Sequence, residues 1–507
     1  MRVQRFAAWL VTLLLLCGTV AAQTALRPQG GQAAGAQPAA AAAPSGPKRL
    51  PEPVTTHHQL VLSGRTLDIT ATAGAITISN ADGVAQAQIG YIAYSRADLP
   101  AGSRPVTFAM NGGPGSGSAW LQLGLLGPWR LSMHDDAAYR SAPSVPVAND
   151  DTWLDFTDIV FIDPIGTGFS RLLVNSDDNR KKYYSVAGDV SVLSEAIRQW
   201  LEQAHRMASP KFLVGESYSG FRGPRLVNEL ANEQGVGISG LILISPLLDY
   251  GLHSAAFDLM GWVVQLPTLT AVNRARQGHV TRADLADVEA YATGDYAADL
   301  FKGEDPQALA RRGAKVAALT GLDPALLARR HARLQDFEFL RETGRDRDAV
   351  ASAYDATSVK ADPFPENSFS EHGDPLTDTL AVPFTEAIYD IYATRLNWLP
   401  DGPYELSNNA VNSAWDYGRS GFTRPQSTGA LRQDLAADPK LRVLIAHGMF
   451  DLVTPYFATQ LQLNQIPPSV GRDRVTLEVY EGGHMFYARD AARTAFRTAA
   501  ERLYHSP

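Results

Sequence analysis

The sequence of 507 residues has almost no cysteine: its only one is Cys17. A single thiol excludes an intramolecular disulfide and any zinc site built on several cysteines. The sequence also lacks an H-E-x-x-H pattern and any cluster of histidines at metal-ligand spacing, so it predicts no metal. No cofactor of another kind is predicted.

Basic runs are lacking too. The chain has 45 Lys and Arg against 53 Asp and Glu, a net charge of −8, which argues against nucleic acid or an anionic membrane as its main partner. A hydrophobic share of 45% with 19% charged residues is that of a soluble globular protein and excludes a disordered or polytopic membrane chain. No integral membrane span is predicted for the mature chain, and the oligomeric state stays open.

Residues 1–22 are typical of a signal peptide. Arg2 and Arg5 precede an apolar run of twelve residues, which is too short to span a bilayer comfortably. Small side chains then lead up to a predicted cleavage site before Gln23. The sequence therefore predicts an exported protein, periplasmic or secreted. A lipid anchor on Cys17, despite the bulky leucine before it, and a retained membrane anchor are the alternatives.

The rest of the chain divides by its hydrophobic pattern. Residues 23–57, rich in Ala, Pro and Gly, predict a flexible linker. From residue 58, the alternating stretches QLVLSG, LDITATAG, AITISN and QIGYIAYS predict antiparallel strands separated by turns. Short apolar runs divided by helical segments follow, which is typical of a parallel sheet buried on both faces. Six runs carry this pattern: 106–110, 158–163, 211–215, 240–245, 442–447 and 475–480.

Residues 246–440 separate the fourth of these runs from the fifth, and they are far too many for an ordinary crossover. Ala, Leu, Arg and Asp at helical spacing predict a mainly helical insertion. It is either a solvated appendage or a cap over the active site, since insertions at the carboxyl ends of parallel strands overhang the ligand crevice. The flanking segments, 58–245 and 441–507, are the predicted catalytic domain.

The hexapeptide GESYSG, residues 215–220, follows an apolar run and precedes a helical pattern. A serine on a sharp strand-to-helix turn with small neighbours is a nucleophile elbow, which exposes the hydroxyl at the edge of an α/β-hydrolase sheet. The hexapeptide departs from G-x-S-x-G because Ser219 replaces the last glycine. Ser217 is the predicted nucleophile.

A nucleophilic serine needs a base, and an acid that orients the base, in the chain order Ser, Asp, His for this fold. His484 lies in a glycine-rich loop directly after the last predicted strand, and Asp451 lies just after the preceding one. Taken alone, His484 could equally be a surface histidine in a turn, and Asp451 could equally be an N-capping aspartate. Their order and placement together predict a triad. His447 is the competing base, and it is predicted to pack because it ends its own strand.

Acyl transfer also needs two donors aimed at the developing oxyanion. The backbone N–H of Tyr218, directly after the nucleophile, is one. The other is expected from the loop NGGPG, residues 111–115, which follows the predicted strand VTFAM. The alternative is that this segment is a simple Gly/Pro loop.

Five blocks, NGGPGSGSAW, DIVFIDPIGTGFS, GESYSG, GMFDLVTP and GGHM, resemble the signature blocks of the serine carboxypeptidases, peptidase family S10, in the family's order. The resemblance runs from about residue 58 to the C-terminus, and the segments GRDRDA and NSAWDYG are similar to the exported bacterial branch. It implies an α/β-hydrolase fold and hydrolysis of the last peptide bond at a free C-terminus.

The resemblance also implies residue roles. The catalytic triad corresponds to Ser217, Asp451 and His484. The oxyanion hole corresponds to the N–H groups of Gly113 and Tyr218. The groups that bind the terminal carboxylate of the substrate correspond to Asn111, Gly112 and Glu216.

The chain departs from the eukaryotic members at three positions. Ala109 stands where they have Trp, Ser116 where they have Cys, and Leu125 where they have a second Glu. In the family pattern that Glu pairs with the one before the nucleophile, and a shared proton lets the pair bind a carboxylate. Only Glu216 remains, with no like charge to raise its proton affinity. A weaker preference for free over amidated C-termini is therefore expected.

The sequence thus predicts a serine-type carboxypeptidase that acts on a peptide or small acyl substrate through an acyl-enzyme. An esterase or acyltransferase on the same scaffold is the first alternative, and the missing second Glu favours it somewhat. A non-catalytic binding protein on an inactive hydrolase fold is the second, and the intact triad argues against it. The preferred side chains and the pH optimum are not predicted.

Overall fold

A computed structural model describes residues 48–505 apart from 101, 103, 134–139, 142–143, 253–257, 368–372 and 419–424. The predicted signal peptide, residues 1–22, and most of the predicted linker lie outside the described residues. The strands are β1 (Val54–Leu62), β2 (Arg65–Ser79), β3 (Ala85–Arg96), β4 (Val106–Met110), β5 (Trp129–Arg130), β6 (Val147–Ala148), β7 (Asp158–Ile162), β8 (Arg171–Leu172), β9 (Lys211–Glu216), β10 (Gly240–Ile244), β11 (Ala349–Ala351), β12 (Val359–Ala361), β13 (Arg442–Gly448) and β14 (Val475–Tyr480). The helices are α1 (Ala119–Leu121), α2 (Asp177–Tyr183), α3 (Val186–Gln203), α4 (Ser219–Asn232), α5 (Leu259–Ala275), α6 (Ala286–Tyr291), α7 (Ala297–Phe301), α8 (Pro306–Thr320), α9 (Pro324–Arg329), α10 (Asp336–Gly344), α11 (Pro375–Asp390), α12 (Asn409–Ala414), α13 (Thr428–Ala437), α14 (Tyr456–Leu463) and α15 (Asp490–Tyr504).

In the described part of the chain, ten strands form one mixed sheet in the order β1-β2-β3-β7-β4-β9-β10-β13-β14, with β8 beside β3. The strands from β7 to β14 in this order run parallel to one another, whereas β1, β2 and β3 pair antiparallel. All six apolar runs are strands of the parallel part, so the predicted mostly parallel α/β sheet is confirmed. Strands β4, β7 and β10 are wholly buried, as continuous apolar runs between two layers of helices require.

The antiparallel part differs from the prediction in two places. LDITATAG and AITISN form one long strand, β2, and not two, because Gly74 pairs directly with Tyr91 of β3. A Cβ at position 74 would lie 2.9 Å from Cβ of Pro53 and 3.0 Å from the Tyr91 hydroxyl, so this glycine allows a close approach and not a turn. Strand β1 begins at Val54, so the last residues of the predicted linker, 54–57, already belong to the sheet.

Helices cover both faces of the sheet. On β4, Phe108 lies in the same buried cluster as side chains of α3, α4 and α13, whereas Ala109, next along the strand, lies in the cluster that contains Phe496 of α15. This alternation follows from the two-residue period of a strand, which sends successive side chains to opposite faces.

The described parts of residues 246–440 are mainly helical and contain one antiparallel pair of strands, β11 and β12. Helix α13 is distinct, because Leu431 and Leu435 lie in one buried cluster with Leu241 of β10 and Val443 of β13. It is therefore the crossover helix that precedes β13, and the α/β core resumes before the predicted boundary of the insertion.

The insertion is also anchored next to the loop that follows β4. Phe384 of α11 packs on Trp120 of α1, with 4.6 Å between the ring centroids. Within the described residues no helix is long and apolar enough to cross a bilayer.

The topology determines where function is expected. Strands β4, β9, β13 and β14 are parallel, so their carboxyl ends meet at one edge of the sheet, where ligands of open α/β sheets bind. The loops that follow these four strands hold every residue that the sequence singles out for catalysis.

Candidate active site

Ser217 occupies the turn between β9 and α4 with φ of 60°. This is the left-handed region, which non-glycine residues rarely adopt, and it is the strained geometry expected of a nucleophile elbow. Two backbone hydrogen bonds hold the turn: the Ser217 N–H donates to the Ile244 carbonyl at 2.9 Å, and its own carbonyl accepts the Leu247 N–H at 3.0 Å. The side chain remains partly exposed, so the hydroxyl is accessible.

Asp451 and His484 are in direct contact at the ends of β13 and β14. His484 Nδ1 lies 2.8 Å from Asp451 Oδ2, and both side chains are buried. The carboxylate also accepts the Val453 N–H at 2.8 Å and the Thr454 hydroxyl at 2.6 Å. Because an ionised carboxylate only accepts hydrogen bonds, the Nδ1 proton lies between the two residues, and Nε2 is left free to take a proton.

The electrostatics of this pair favour charge separation. Burial acts to raise the pKa of Asp451, but the charge of His484 and the hydrogen bonds from His484 and Thr454 hold it below its ordinary value. Burial likewise acts to lower the pKa of His484, and the Asp451 carboxylate outweighs it, so that this pKa is raised. A histidine stabilised as imidazolium is what a general base requires once it has accepted a proton.

Two further residues hold His484 in place through three contacts. The Tyr354 carbonyl accepts the His484 N–H at 2.5 Å, and the ring of Tyr354 contacts the imidazole edge-on at 5.2 Å between centroids. The Ser245 hydroxyl donates to the His484 carbonyl at 2.7 Å. None of these contacts was predicted. Tyr354 comes from the insertion, which therefore borders the site.

Ser217 Oγ makes no hydrogen bond with His484 or with any other described residue. In sites without substrate such hydrogen bonds are often long, and they shorten in the Michaelis complex. The elbow and the Asp–His pair are nevertheless linked through β10, since Ile244 accepts from Ser217 and the adjacent Ser245 donates to His484.

His447, the competing base, lies elsewhere. It is fully buried, and its Nε2 lies 2.9 Å from the Thr459 hydroxyl. Burial lowers its pKa to about 4, so it is neutral at physiological pH and packs at the end of β13.

The loop after β4 packs directly on the elbow. A Cβ at Gly112 would lie 2.5 Å from the Glu216 carbonyl oxygen and 2.5 Å from the Tyr218 nitrogen, so only glycine permits this approach. The N–H groups of Gly113 and Tyr218 donate to no group among the described residues. Two unpaired backbone donors on adjoining loops are the arrangement that a developing oxyanion needs.

A buried ion pair joins this loop to the elbow helix. Arg222 of α4 pairs with Asp189 of α3 at 2.6 Å and donates to the Asn111 carbonyl at 2.7 Å. It also donates at 3.0 Å to the hydroxyl of Ser219. That hydroxyl lies 3.3 Å from the Asn111 carbonyl, so the serine that replaces the last glycine of the elbow motif ties the two loops together. Neither Arg222 nor Asp189 was predicted.

Glu216, directly before the nucleophile, is buried and has two neutral hydrogen-bond partners. Tyr487 donates its hydroxyl to Glu216 Oε2 at 2.7 Å. Asn111, whose Oδ1 accepts the Leu121 N–H at 3.0 Å, also hydrogen-bonds to the carboxyl of Glu216.

The expectation that a lone Glu216 has less reason to stay protonated, since no like charge raises its proton affinity, is wrong. Burial, with a smaller contribution from the charge of Asp451, raises its pKa to about 7, against the opposing effects of the charge on His484 and of the hydrogen bonds from Tyr487 and Asn111. Desolvation therefore does here most of what a like charge does in a carboxyl pair. Leu125, in the place of the second Glu, is fully buried in the apolar core.

No group of three or more His, Cys, Asp or Glu side chains within the described ranges is arranged to hold a metal ion. The arrangement instead brings the elbow serine, the buried Asp–His pair and two unpaired backbone donors to one edge of the sheet. The fold is that of the α/β-hydrolases.

Comparison with known proteins shows which family within this fold the chain resembles. Residues 66–273 match the sequence profile of the serine carboxypeptidases, which confirms the resemblance for the three sequence blocks that lie in this range. Two Arabidopsis thaliana proteins are similar: serine carboxypeptidase-like 2 is 30% identical over 158 residues, 30% of this chain and 34% of that protein. Serine carboxypeptidase-like 13 is 33% identical over 149 residues, 29% of this chain and 33% of that protein. The aligned region thus spans about a third of the length of these curated relatives.

Similarity of the fold extends over more of the chain than similarity of the sequence. A prohormone-processing carboxypeptidase from Saccharomyces cerevisiae, Kex1(delta)p, superposes with a TM-score of 0.55 at 15% sequence identity, over 87% of this chain and 91% of that one. At this identity the likeness concerns the fold, and it confirms the predicted α/β-hydrolase architecture.

The contact between Gly112 and the elbow gives a first prediction. In Gly112→Ala the added Cβ meets backbone atoms on both sides of Ser217, so the loop must move and the oxyanion donors lose their alignment. We expect the rate at which a fluorophosphonate labels Ser217 to fall about 10²-fold or more. Gly237→Ala, whose Cβ would have nothing within 4 Å, is the matched control and should label at the wild-type rate. Equal labelling of the two variants would contradict the oxyanion assignment.

Proposed function

We propose that this chain is a serine carboxypeptidase that hydrolyses the last peptide bond of a substrate with a free C-terminus. One observation carries the proposal: a buried Asp451–His484 pair at 2.8 Å lies at the same sheet edge as an elbow serine flanked by two unpaired N–H donors. The similarity of residues 66–273 to the serine carboxypeptidases supports it.

The chemistry follows from this geometry. His484 Nε2 takes the proton of Ser217 as Oγ attacks the scissile carbonyl, and the N–H groups of Gly113 and Tyr218 stabilise the oxyanion. The imidazolium, held by Asp451, then protonates the leaving amine. Water, deprotonated by the same imidazole, releases the acyl group from the serine and restores the enzyme.

Glu216 supplies the proposed specificity. When protonated, its carboxyl can donate a hydrogen bond to the terminal carboxylate of a substrate, and the Asn111 amide adds a second polar contact. When ionised, it repels the same carboxylate. A peptide amide or an ester has no carboxylate there, so it does not depend on this proton.

The first test of the proposal removes the nucleophile. Ser217→Ala should lower kcat/KM for a peptide by at least about 10³-fold, because the members of a triad act as a unit. The rate is measured by mass spectrometry of the released amino acid. Ser191→Ala, an exposed serine on α3, is the control and should retain full activity. A Ser217→Ala enzyme that still hydrolyses peptides would refute the assignment, and a wild-type Ser217 that no fluorophosphonate labels would favour a non-catalytic binding protein.

The second test uses pH. Because the pKa of Glu216 is about 7, kcat/KM for a peptide acid should fall above about pH 7, while that for the matching amide should not. Both should fall towards acid pH as His484 becomes protonated, since kcat/KM reports the ionisation of the free enzyme.

Glu216→Gln is the matched variant for the pH test, because its side chain is neutral at every pH. It should remove the alkaline fall of kcat/KM for the acid. For the amide it should only move the acid limb to lower pH, because the Glu216 carboxylate contributes to the raised pKa of His484. A wild-type ratio of acid to amide that is low and independent of pH would favour an esterase or acyltransferase on the same scaffold.

We also propose that the chain is exported to the periplasm or secreted. The two arginines, the twelve-residue apolar run and the small side chains before Gln23 support this proposal. The expected mature N-terminus lies near Gln23, which N-terminal sequencing of the protein recovered from outside the cytoplasm measures. An unprocessed Met1 on that protein would overturn the proposal, and lipid on Cys17 would establish the lipoprotein alternative.

A further inference from the structure

Tyr487 is the side chain that contacts Glu216 most closely. Its hydroxyl donates to Oε2 at 2.7 Å, across 271 positions of the chain, and its side chain is completely buried. It lies three residues after His484, in a short 3₁₀ turn before α15. Arg493 of α15 donates to the Tyr487 carbonyl at 3.3 Å and pairs with Asp151 at 2.9 Å, so the turn is held from the side opposite Glu216.

The surrounding chain leaves a space that fits the tyrosine ring. A Cβ at Gly124 would lie 2.8 Å from Cε2 of Tyr487 and 3.3 Å from the Met133 sulfur, so a side chain at position 124 would displace the ring. Leu125, beside it, packs in the same apolar cluster as Tyr487. The residue that replaces a carboxyl of the family pattern is therefore apolar, and the adjacent glycine makes room for a hydroxyl that reaches Glu216 from another loop.

We propose that Tyr487 is a positioning residue that orients the Glu216 carboxyl towards the terminal carboxylate of the substrate, in place of the missing second carboxyl. This inference rests on the proposed function. By donating to Oε2, the hydroxyl leaves the acid proton of neutral Glu216 on Oε1, the oxygen that this proposal gives to the substrate. One oxygen is thereby assigned to the protein and the other to the substrate.

A tyrosine also changes how the site titrates. A carboxyl pair loses its two protons in two coupled steps. The hydroxyl of Tyr487, by contrast, remains a donor, because burial and the carboxyl of Glu216 raise its pKa well above its ordinary value. The charged and titratable groups that face Glu216 are His484 and Asp451 from the loops after β14 and β13, Tyr354 from the insertion, and Tyr487 itself. Among them Glu216 has its pKa raised to about 7, and its carboxylate contributes to the raised pKa of His484, so the ionisations of these two groups are coupled.

The test is Tyr487→Phe, which removes one oxygen and keeps the ring. At pH 5.5, where Glu216 is protonated in both enzymes, KM for a peptide acid should rise about 10-fold with kcat nearly unchanged, and the constants for the amide should stay within about 2-fold. The lost donor stabilised ionised Glu216, so its pKa should rise and the alkaline fall of kcat/KM for the acid should move to higher pH.

Tyr296→Phe is the matched control. It removes a hydroxyl that is equally buried and donates to the Ala332 carbonyl at 3.0 Å in the insertion, so it tests the cost of one buried hydrogen bond away from Glu216. It should leave both profiles unchanged. Fluorophosphonate labelling of Ser217 gives the folded fraction of each variant, to which the rates are normalised.

The outcomes separate the two proposals. If the wild-type enzyme prefers the acid and loses that preference above pH 7, but Tyr487→Phe keeps both the wild-type KM and the wild-type alkaline limb, the positioning role is refuted and the proposed function stands. If the wild-type enzyme hydrolyses peptides without any preference for the acid, the carboxylate role of Glu216 falls, and the role of Tyr487 falls with it.

Discussion

The site depends on one buried hydrogen bond, between His484 Nδ1 and Asp451 Oδ2 at 2.8 Å. Two groups that both lose hydration at this depth are stable together only because each favours the charged form of the other. Asp451 needs the Val453 N–H and the Thr454 hydroxyl as well, since a buried carboxylate with unfilled acceptor positions is costly. The need to stabilise the buried Asp451 carboxylate therefore restricts the conformations of the glycine-rich loop after β14 and of the turn after β13.

A second constraint acts on the opposite side of the nucleophile. The strained turn at Ser217 persists because its neighbours hold it, and Arg222 is the main link between the elbow helix, α3 and the loop after β4. Removing one partner of a fully buried ion pair is strongly destabilising. The same contact that keeps the chain folded thus holds the loop after β4 against the elbow, so stability and the geometry of the predicted oxyanion hole are not separable at this point.

The sequence predicted what depends on local pattern. The six parallel strands are apolar runs buried on both faces, and Ser217, Asp451 and His484 directly follow three of them, so period and order sufficed. Contacts between distant segments were out of reach: Tyr487 and Glu216 are 271 positions apart, and Arg222 and Asn111 are 111 apart. The prediction of a break within β2 was wrong for a related reason. Gly74 is required by its close contacts with Pro53, which precedes β1, and with Tyr91 on the neighbouring strand, and not by a turn. The roles of Ser217, Asp451 and His484 in catalysis remain predictions.

Glu216 shows that one chemical property can have two physical origins. A carboxyl is kept protonated near neutral pH either by a second carboxyl, whose negative charge opposes ionisation, or by burial, which removes the water that stabilises the anion. With Leu125 in the core and a hydroxyl as the nearest partner, burial is the main cause, aided by the charge of Asp451, and the pKa is raised to about 7 against two hydrogen bonds that favour the anion. Replacing a carboxyl by a leucine and a tyrosine therefore leaves a single carboxyl beside the predicted nucleophile without removing its proton.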